Sequence, residues 1–257
     1  TWSMTNENSK PLAGKVALVS GAGQNIGRAI AHGLADDGAF VLINGRSNLD
    51  ALEEVAAEIN DAGGRAMAHL ADVSDEGAVK EMIARLADEA GGIDIVVSNA
   101  GLRRQTPFVE MTYSEWREIL SVALDGAFLL ARHAVPHMQA RGGGAFIGLS
   151  GISNHMGTPG RAHVNASKAG LEGFVRGPAM ELAPDNITVN TVAPGAIDTV
   201  RGAAAGTLPS GVASKIPLAR KGTVEEIAAM VQHLAGPQGG YITGQCIHIN
   251  GGGYLGH

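Results

Sequence analysis

The chain has 257 residues, 45% hydrophobic and 17% charged, with a formal net charge of −6, which suits one globular domain around one core. No clustered excess of Lys and Arg marks a nucleic-acid partner, and no apolar run approaches the roughly 18 residues that cross a bilayer, so neither nucleic acid nor membrane is expected. The single cysteine, Cys246, reads as a small hydrophobe in a buried strand, which excludes a disulfide framework and a cysteine metal site. Residues 1–11 read as a polar tail without the basic start and apolar stretch of a secretion signal, so a reducing cytoplasm is the expected location.

From Lys15 onward, short β-branched runs alternate with longer amphipathic stretches. That order predicts parallel strands joined by crossover helices, a Rossmann-type doubly wound α/β sheet of about seven strands with helices on both faces. Strands are expected near Val16–Ser20, Phe40–Asn44, Ala66–Leu70, Ile95–Ser98, Ala145–Leu149, Thr188–Val192 and Cys246–Ile249. Helices are expected over Ile26–Ala35, Leu49–Asn60, Glu76–Glu89, Ser114–His137, Ala162–Leu182 and Val224–Leu234. The Gly-, Ala- and Ser-rich stretch Thr199–Lys215 reads as a flap.

Directly after the first strand runs Ser20-Gly21-Ala22-Gly23-Gln24-Asn25-Ile26-Gly27, and a helix follows. Glycines between a strand and a helix let the backbone approach a pyrophosphate, and the free amides and dipole of the helix start attract its charge. The second strand ends in Ile43-Asn44-Gly45-Arg46-Ser47, without the carboxylate that would bind the adenosine ribose of NAD and repel a 2′-phosphate. Arg46 offers a fork for that phosphate, which favours NADP over NAD; the alternative is a surface arginine at the start of the next helix.

From Leu12 to Gly253 these residues resemble the short-chain dehydrogenase/reductase family. Its T-G-x-x-x-G-x-G motif appears as Ser20-Gly21 through Gly27, with Asn25 at the middle glycine; Asn tolerates left-handed backbone better than most residues. The family's adenine-contacting Asp-Val matches Asp72-Val73, its N-N-A-G matches Ser98-Asn99-Ala100-Gly101, and its P-G-x-I-x-T matches Pro194-Gly195-Ala196-Ile197-Asp198-Thr199. The resemblance implies that Gly21, Gln24, Asn25, Ile26, Gly27, Arg46, Asp72, Val73, Asn99, Ala100, Gly101, Val122, Lys168, Pro194, Gly195, Ile197 and Thr199 line the cofactor. It also implies oxidoreductase activity on a small carbonyl or alcohol and, from the family's long paired helices, a homotetramer.

Members of the family use a Tyr-x-x-x-Lys pair, a serine thirteen residues before the tyrosine, and an asparagine on the preceding long helix. Tyrosine exchanges the substrate proton, lysine lowers the phenol pKa and holds the nicotinamide ribose, and serine donates to the oxygen on which charge develops. Laid on this chain, the motif puts Val164 at the tyrosine, Gly151 at the serine and Ala123 at the asparagine, and only Lys168 remains. The three tyrosines, Tyr113, Tyr241 and Tyr254, are far from this helix in sequence.

Replacement proton donors are His163, which would have to swing roughly 100° round the helix from Val164, and the pair Ser153 and His155 in the loop after the fifth strand. Arg103, Arg104 and Arg161 suit an anionic substrate. His133 and His137 have one-turn spacing but lack a Glu between them and a third ligand, and Pro136 interrupts their helix, so no metal is expected. Two further readings stay open, a non-redox lyase or isomerase and a cofactor-binding protein on the same scaffold.

Overall fold

The computed structural model describes residues 10–200, 211 and 213–256. The apolar strand segments form β1 (Val16–Val19), β2 (Phe40–Gly45), β3 (Arg65–Leu70), β4 (Ile95–Ser98), β5 (Gly144–Leu149), β6 (Ile187–Pro194) and β7 (Cys246–Ile249). They build one parallel sheet in the order β3-β2-β1-β4-β5-β6-β7. Every residue of β1 and β4 is buried, as a central parallel strand covered on both faces must be.

The helices are α1 (Asn25–Asp36), α2 (Leu49–Asp61), α3 (Glu76–Ala90), α4 (Tyr113–Leu120), α5 (Gly126–Ala140), α6 (Ser153–Met156), α7 (Ala162–Glu181) and α8 (Val224–Ala235). One core lies between the sheet and α1, α2 and α8, and carries Ile30, Leu34, Val55, Ile59, Ile227 and Val231. The opposite core lies under α3, α5 and α7, with Met82, Ile83, Leu130, Met138, Leu171 and Val175. Local chemistry starts most of these helices, because Asn48, Asp75, Thr112 and Thr223 each accept a backbone N–H at the N-terminus of α2, α3, α4 and α8.

The fold is the one expected, with strand and helix ends within a few residues, but several details differ. The single helix expected over Ser114–His137 is two helices joined by a π turn at Ser121–Asp125. It also runs through Pro136 to Ala140, because Ala134 and Met138 on either side of the proline are fully buried and hold the helix in place. Cys246 is half-buried rather than buried, since β7 is an edge strand with one neighbour. Most of the expected flap, residues 201–210 and 212, lies outside the described residues.

The stretch Tyr113–Ala140 is long and apolar enough in composition to cross a membrane, contrary to the expectation that none approaches that length. Here its apolar residues pack on α3, β4 and α7.

At the amino edge of the sheet the Asp94 carboxylate, 2% exposed, accepts from Lys15 Nζ (2.9 Å), the Val16 amide (3.0 Å) and the Arg141 guanidinium (3.1 Å). These bonds tie β1 to the end of α5. Asp94→Ala removes the shared anion and leaves two cations side by side, which should cost about 3 kcal/mol of unfolding free energy, measured by urea denaturation.

Candidate active site

In this strand order the chain reverses direction across the sheet between β1 and β4, and a crevice opens at their carboxyl ends. Hydrogen bonds join the two strand ends there. The Ser20 hydroxyl accepts the amides of Asn99 (3.0 Å) and Ala100 (3.1 Å), while the Asn99 side chain donates to the carbonyls of Ser20 (3.0 Å) and Gly21 (2.9 Å).

Gly21 has φ +62°, and Asn25 adopts the left-handed backbone at φ 52°. The Asn25 side chain also makes two bonds to the backbone of Val200, donating to its carbonyl (3.0 Å) and accepting from its amide (2.9 Å). Gln24 forms no side-chain cap on α1, so the first amides of that helix are left for a ligand anion. Ile26 and Gly27 are buried beneath them. This is the cradle a dinucleotide pyrophosphate requires, and the cofactor implied by the fold fits it.

At the adenosine end, the buried Asn44 donates to the carbonyls of Ala71 (3.0 Å) and His69 (3.3 Å), which splices β2 to the segment after β3. Arg46 is exposed and held only loosely, 3.8 Å from both Asp72 and Glu118. Asp72 is oriented by the amide (2.9 Å) and hydroxyl (2.7 Å) of Ser74. Val73 is buried against Gly126, and Val122 is buried one helical turn before it.

At the far end, Lys168 donates to the Leu149 carbonyl, and its ammonium is 3.6 Å from where a Cβ on Gly101 would stand. Burial and then the nearby Arg103 guanidinium lower the Lys168 pKa to about 8, while Glu172 opposes the shift. One turn back on α7, Val164 is buried. A side chain at Gly151 would meet only the Pro194 carbonyl, at 3.9 Å. Ala123 is buried inside the π turn, a helix distortion common at functional sites. Beyond it, the Gly195 amide donates to Ile249 (2.8 Å), Ile197 bridges to Gly222, and Thr199 accepts from Arg103 (3.4 Å).

His163 does not face this crevice. Its ring is fully buried, with Nδ1 accepting the Val164 amide (2.9 Å) and Nε2 against Glu115 (2.9 Å). Both nitrogens are thus engaged at the start of α7. Hydrogen bonds from Thr106 and His163 hold the Glu115 carboxyl below the usual range.

Of the three arginines, Arg104 pairs with Glu118 (2.6 Å), Arg161 is the residue preceding α7, and Arg103 acts electrostatically on Lys168. Ser153 starts α6, and in the orientation that satisfies both of its amide atoms Asn165 donates to the Ser153 hydroxyl (3.2 Å). His155 lies 3.1 Å from Glu172 and stacks on Tyr254. His133 meets Glu76 (3.3 Å).

Two features escape sequence reading. One is the π turn, for which the sequence carries no signal. The other is a group formed by His155, Cys246 and His248, whose ligand atoms all lie within 4.8 Å of one another. The sequence reading grouped no histidine with Cys246, and His155 comes to it from a distant part of the chain. The alternation of Cys246 and His248 on one strand was the available clue.

Fold and cradle together define a nucleotide-binding enzyme of the doubly wound class. Residues 21–253 match the family profile described as Enoyl-(Acyl carrier protein) reductase. The chain is 40% identical over 242 residues to the 3-oxoacyl-(acyl-carrier-protein) reductase FabG of Staphylococcus aureus, with 94% of this chain and 98% of that one covered. To the FabG of Aquifex aeolicus it is 37% identical over 243 residues, with 94% and 98% covered. A solved short-chain dehydrogenase/reductase from Serratia marcescens superposes with a TM-score of 0.87 at 35% identity, covering 95% of this chain and 99% of the other. The chain belongs to the short-chain dehydrogenase/reductase family and is an oxidoreductase of that nicotinamide-dependent kind.

A Cβ at Gly27 would lie 2.3 Å from the Gly21 carbonyl and 2.6 Å from the Asn99 amide. Gly27→Ala should therefore spread the cradle, costing about 2 kcal/mol of stability and weakening NADPH binding at least about tenfold. Thermal melting and fluorescence titration measure the two effects.

Proposed function

We propose that the protein is an NADP-dependent dehydrogenase/reductase for a small carbonyl or alcohol, with Lys168 as the group that holds and passes the proton. The carrying observation is the position of the Lys168 ammonium. It lies at the crevice between Leu149 and Gly101, while the neighbouring Val164, Gly151 and Ala123 offer no exchangeable proton.

A bound nicotinamide supplies or accepts the hydride. The chain's own part is positioning and proton supply. In the reduction direction, the substrate oxygen takes a proton from water in the space left open beside Gly151, and Lys168 resupplies that water. With its pKa lowered to about 8, the ammonium gives up a proton far more readily than an ordinary lysine. Arg103, next to it, adds positive charge that suits a substrate bearing a carboxylate or phosphate.

The loosely held Arg46 and the absence of a carboxylate at the end of β2 support NADP over NAD. The FabG relatives are named as 3-oxoacyl-(acyl-carrier-protein) reductases, which makes a 3-oxoacyl thioester one carbonyl to assay. The exposed Phe128 on α5 and Met180 on α7 support a homotetramer through these helices, readable by light scattering.

NADPH oxidation is followed by absorbance against a panel of aldehydes, ketones, 2-oxo acids and a 3-oxoacyl thioester. Tight NADPH binding without turnover of any of them overturns the reading. Lys168→Met should lower kcat by about a hundredfold or more, and wild-type kcat should fall with rising pH above about 8, where the ammonium deprotonates. Arg46→Asp should raise KM for NADPH about tenfold or more and leave NADH little changed. Val164→Tyr combined with Gly151→Ser restores a phenol and a hydroxyl and should raise kcat about a hundredfold; no change with cofactor binding intact would show that proton transfer does not pass through this pocket.

A further inference from the structure

Three separate elements converge on one point. Cys246 and His248 stand two residues apart on β7, so their side chains leave the same face of the strand. His155 comes from α6, and the Glu172 carboxylate comes from α7. The His155 and His248 rings are 4.8 Å apart and inclined at 69°, and ligand atoms of His155, Cys246 and His248 are mutually within 4.8 Å. Glu172, 5% exposed, is 3.1 Å from His155 Nε2 and accepts from the Cys246 thiol.

We infer that His155, Cys246, His248 and Glu172 form a binding site for one zinc-class divalent cation. Two imidazoles, a thiolate and a carboxylate are the ligand types such a cation takes, and the two anions balance its charge. Metal–ligand distances of about 2.0–2.3 Å set tetrahedral ligand–ligand edges of roughly 3.3–3.8 Å. The His155–Glu172 separation is already near such an edge, and the wider pairs need closing by about 1 Å.

A second observation points the same way. The Nδ1 of His248 is buried and has no hydrogen-bond partner, although a buried imidazole nitrogen is ordinarily paired.

Outer support is in place as well. The Ser150 hydroxyl and the Asn154 amide both donate to Glu172 and fix the carboxylate, and Tyr254 stacks on His155 at 4.9 Å. A cation here would cross-link the edge strand β7 to α6 and α7.

The test uses the full chain, freed of metal by chelator and titrated with cobalt(II) and zinc(II). One cobalt per chain is expected, with the intense visible bands of tetrahedral coordination and a thiolate-to-cobalt charge-transfer band in the near ultraviolet. The charge-transfer band should vanish in Cys246→Ser. Zinc affinity by calorimetry should drop at least about a hundredfold in His248→Gln, while His133→Gln, on the remote α5, should leave it unchanged. Weak octahedral bands without charge transfer, absence of stoichiometric binding, or equal affinity in His248→Gln would each overturn the site. The wild-type cobalt spectrum decides the matter even where a variant fails to fold.

Discussion

The crevice depends on the hydrogen bonds that close the seam between β1 and β4. Ser20 and Asn99 sit at the ends of two parallel strands whose following segments diverge to opposite halves of the sheet. Without those bonds the polar backbone at the seam would lie open in a dry interior, at a cost of kilocalories per group. With them, the glycine turn is held against the next strand end, and α1 is aimed with its uncapped amides toward the crevice. The adenosine end, the nicotinamide end and the Pro194–Thr199 segment are then arranged round one rigid point.

Much of this is legible in the sequence, because the deciding signals are local. Apolar runs of four to six residues bounded by glycine predict the strands, and Asn25 in a glycine position matches a left-handed φ of 52°. Other features depend on residues far apart in the chain. The direction of the His163 ring is set by Glu115, forty-eight positions away, and the surroundings of Cys246 are set by α6 and α7. The π turn at Ser121–Asp125 and the preceding α4 both pack on α7, whose residues come from a later part of the chain. Pro136 misleads for the same reason, since buried neighbours carry the helix past it.

Cradle and chemistry rest on different kinds of atoms. Pyrophosphate recognition uses backbone amides and glycine geometry, which side-chain substitutions elsewhere leave intact. Proton transfer uses a few side-chain heteroatoms, and Val164, Gly151 and Ala123 offer none. Dinucleotide binding therefore does not depend on which side chains line a proton path. Nearby carboxylates are already committed, Glu115 to His163 and Thr106, Glu118 to Arg104, and Glu172 to Ser150 and His155.

Asn25 serves two structures at once. Its backbone makes the left-handed bend of the phosphate turn, and its amide side chain clasps Val200, 175 positions away. Binding free energies are reciprocal. A ligand that tightens the bend and strengthens the clasp is itself bound more strongly by whatever keeps Val200 in place, and a ligand that loosens the clasp is bound more weakly by the same factor. To the extent that a ligand changes the clasp, the first turn of the cradle and the strand exit at Pro194–Val200 share its binding free energy.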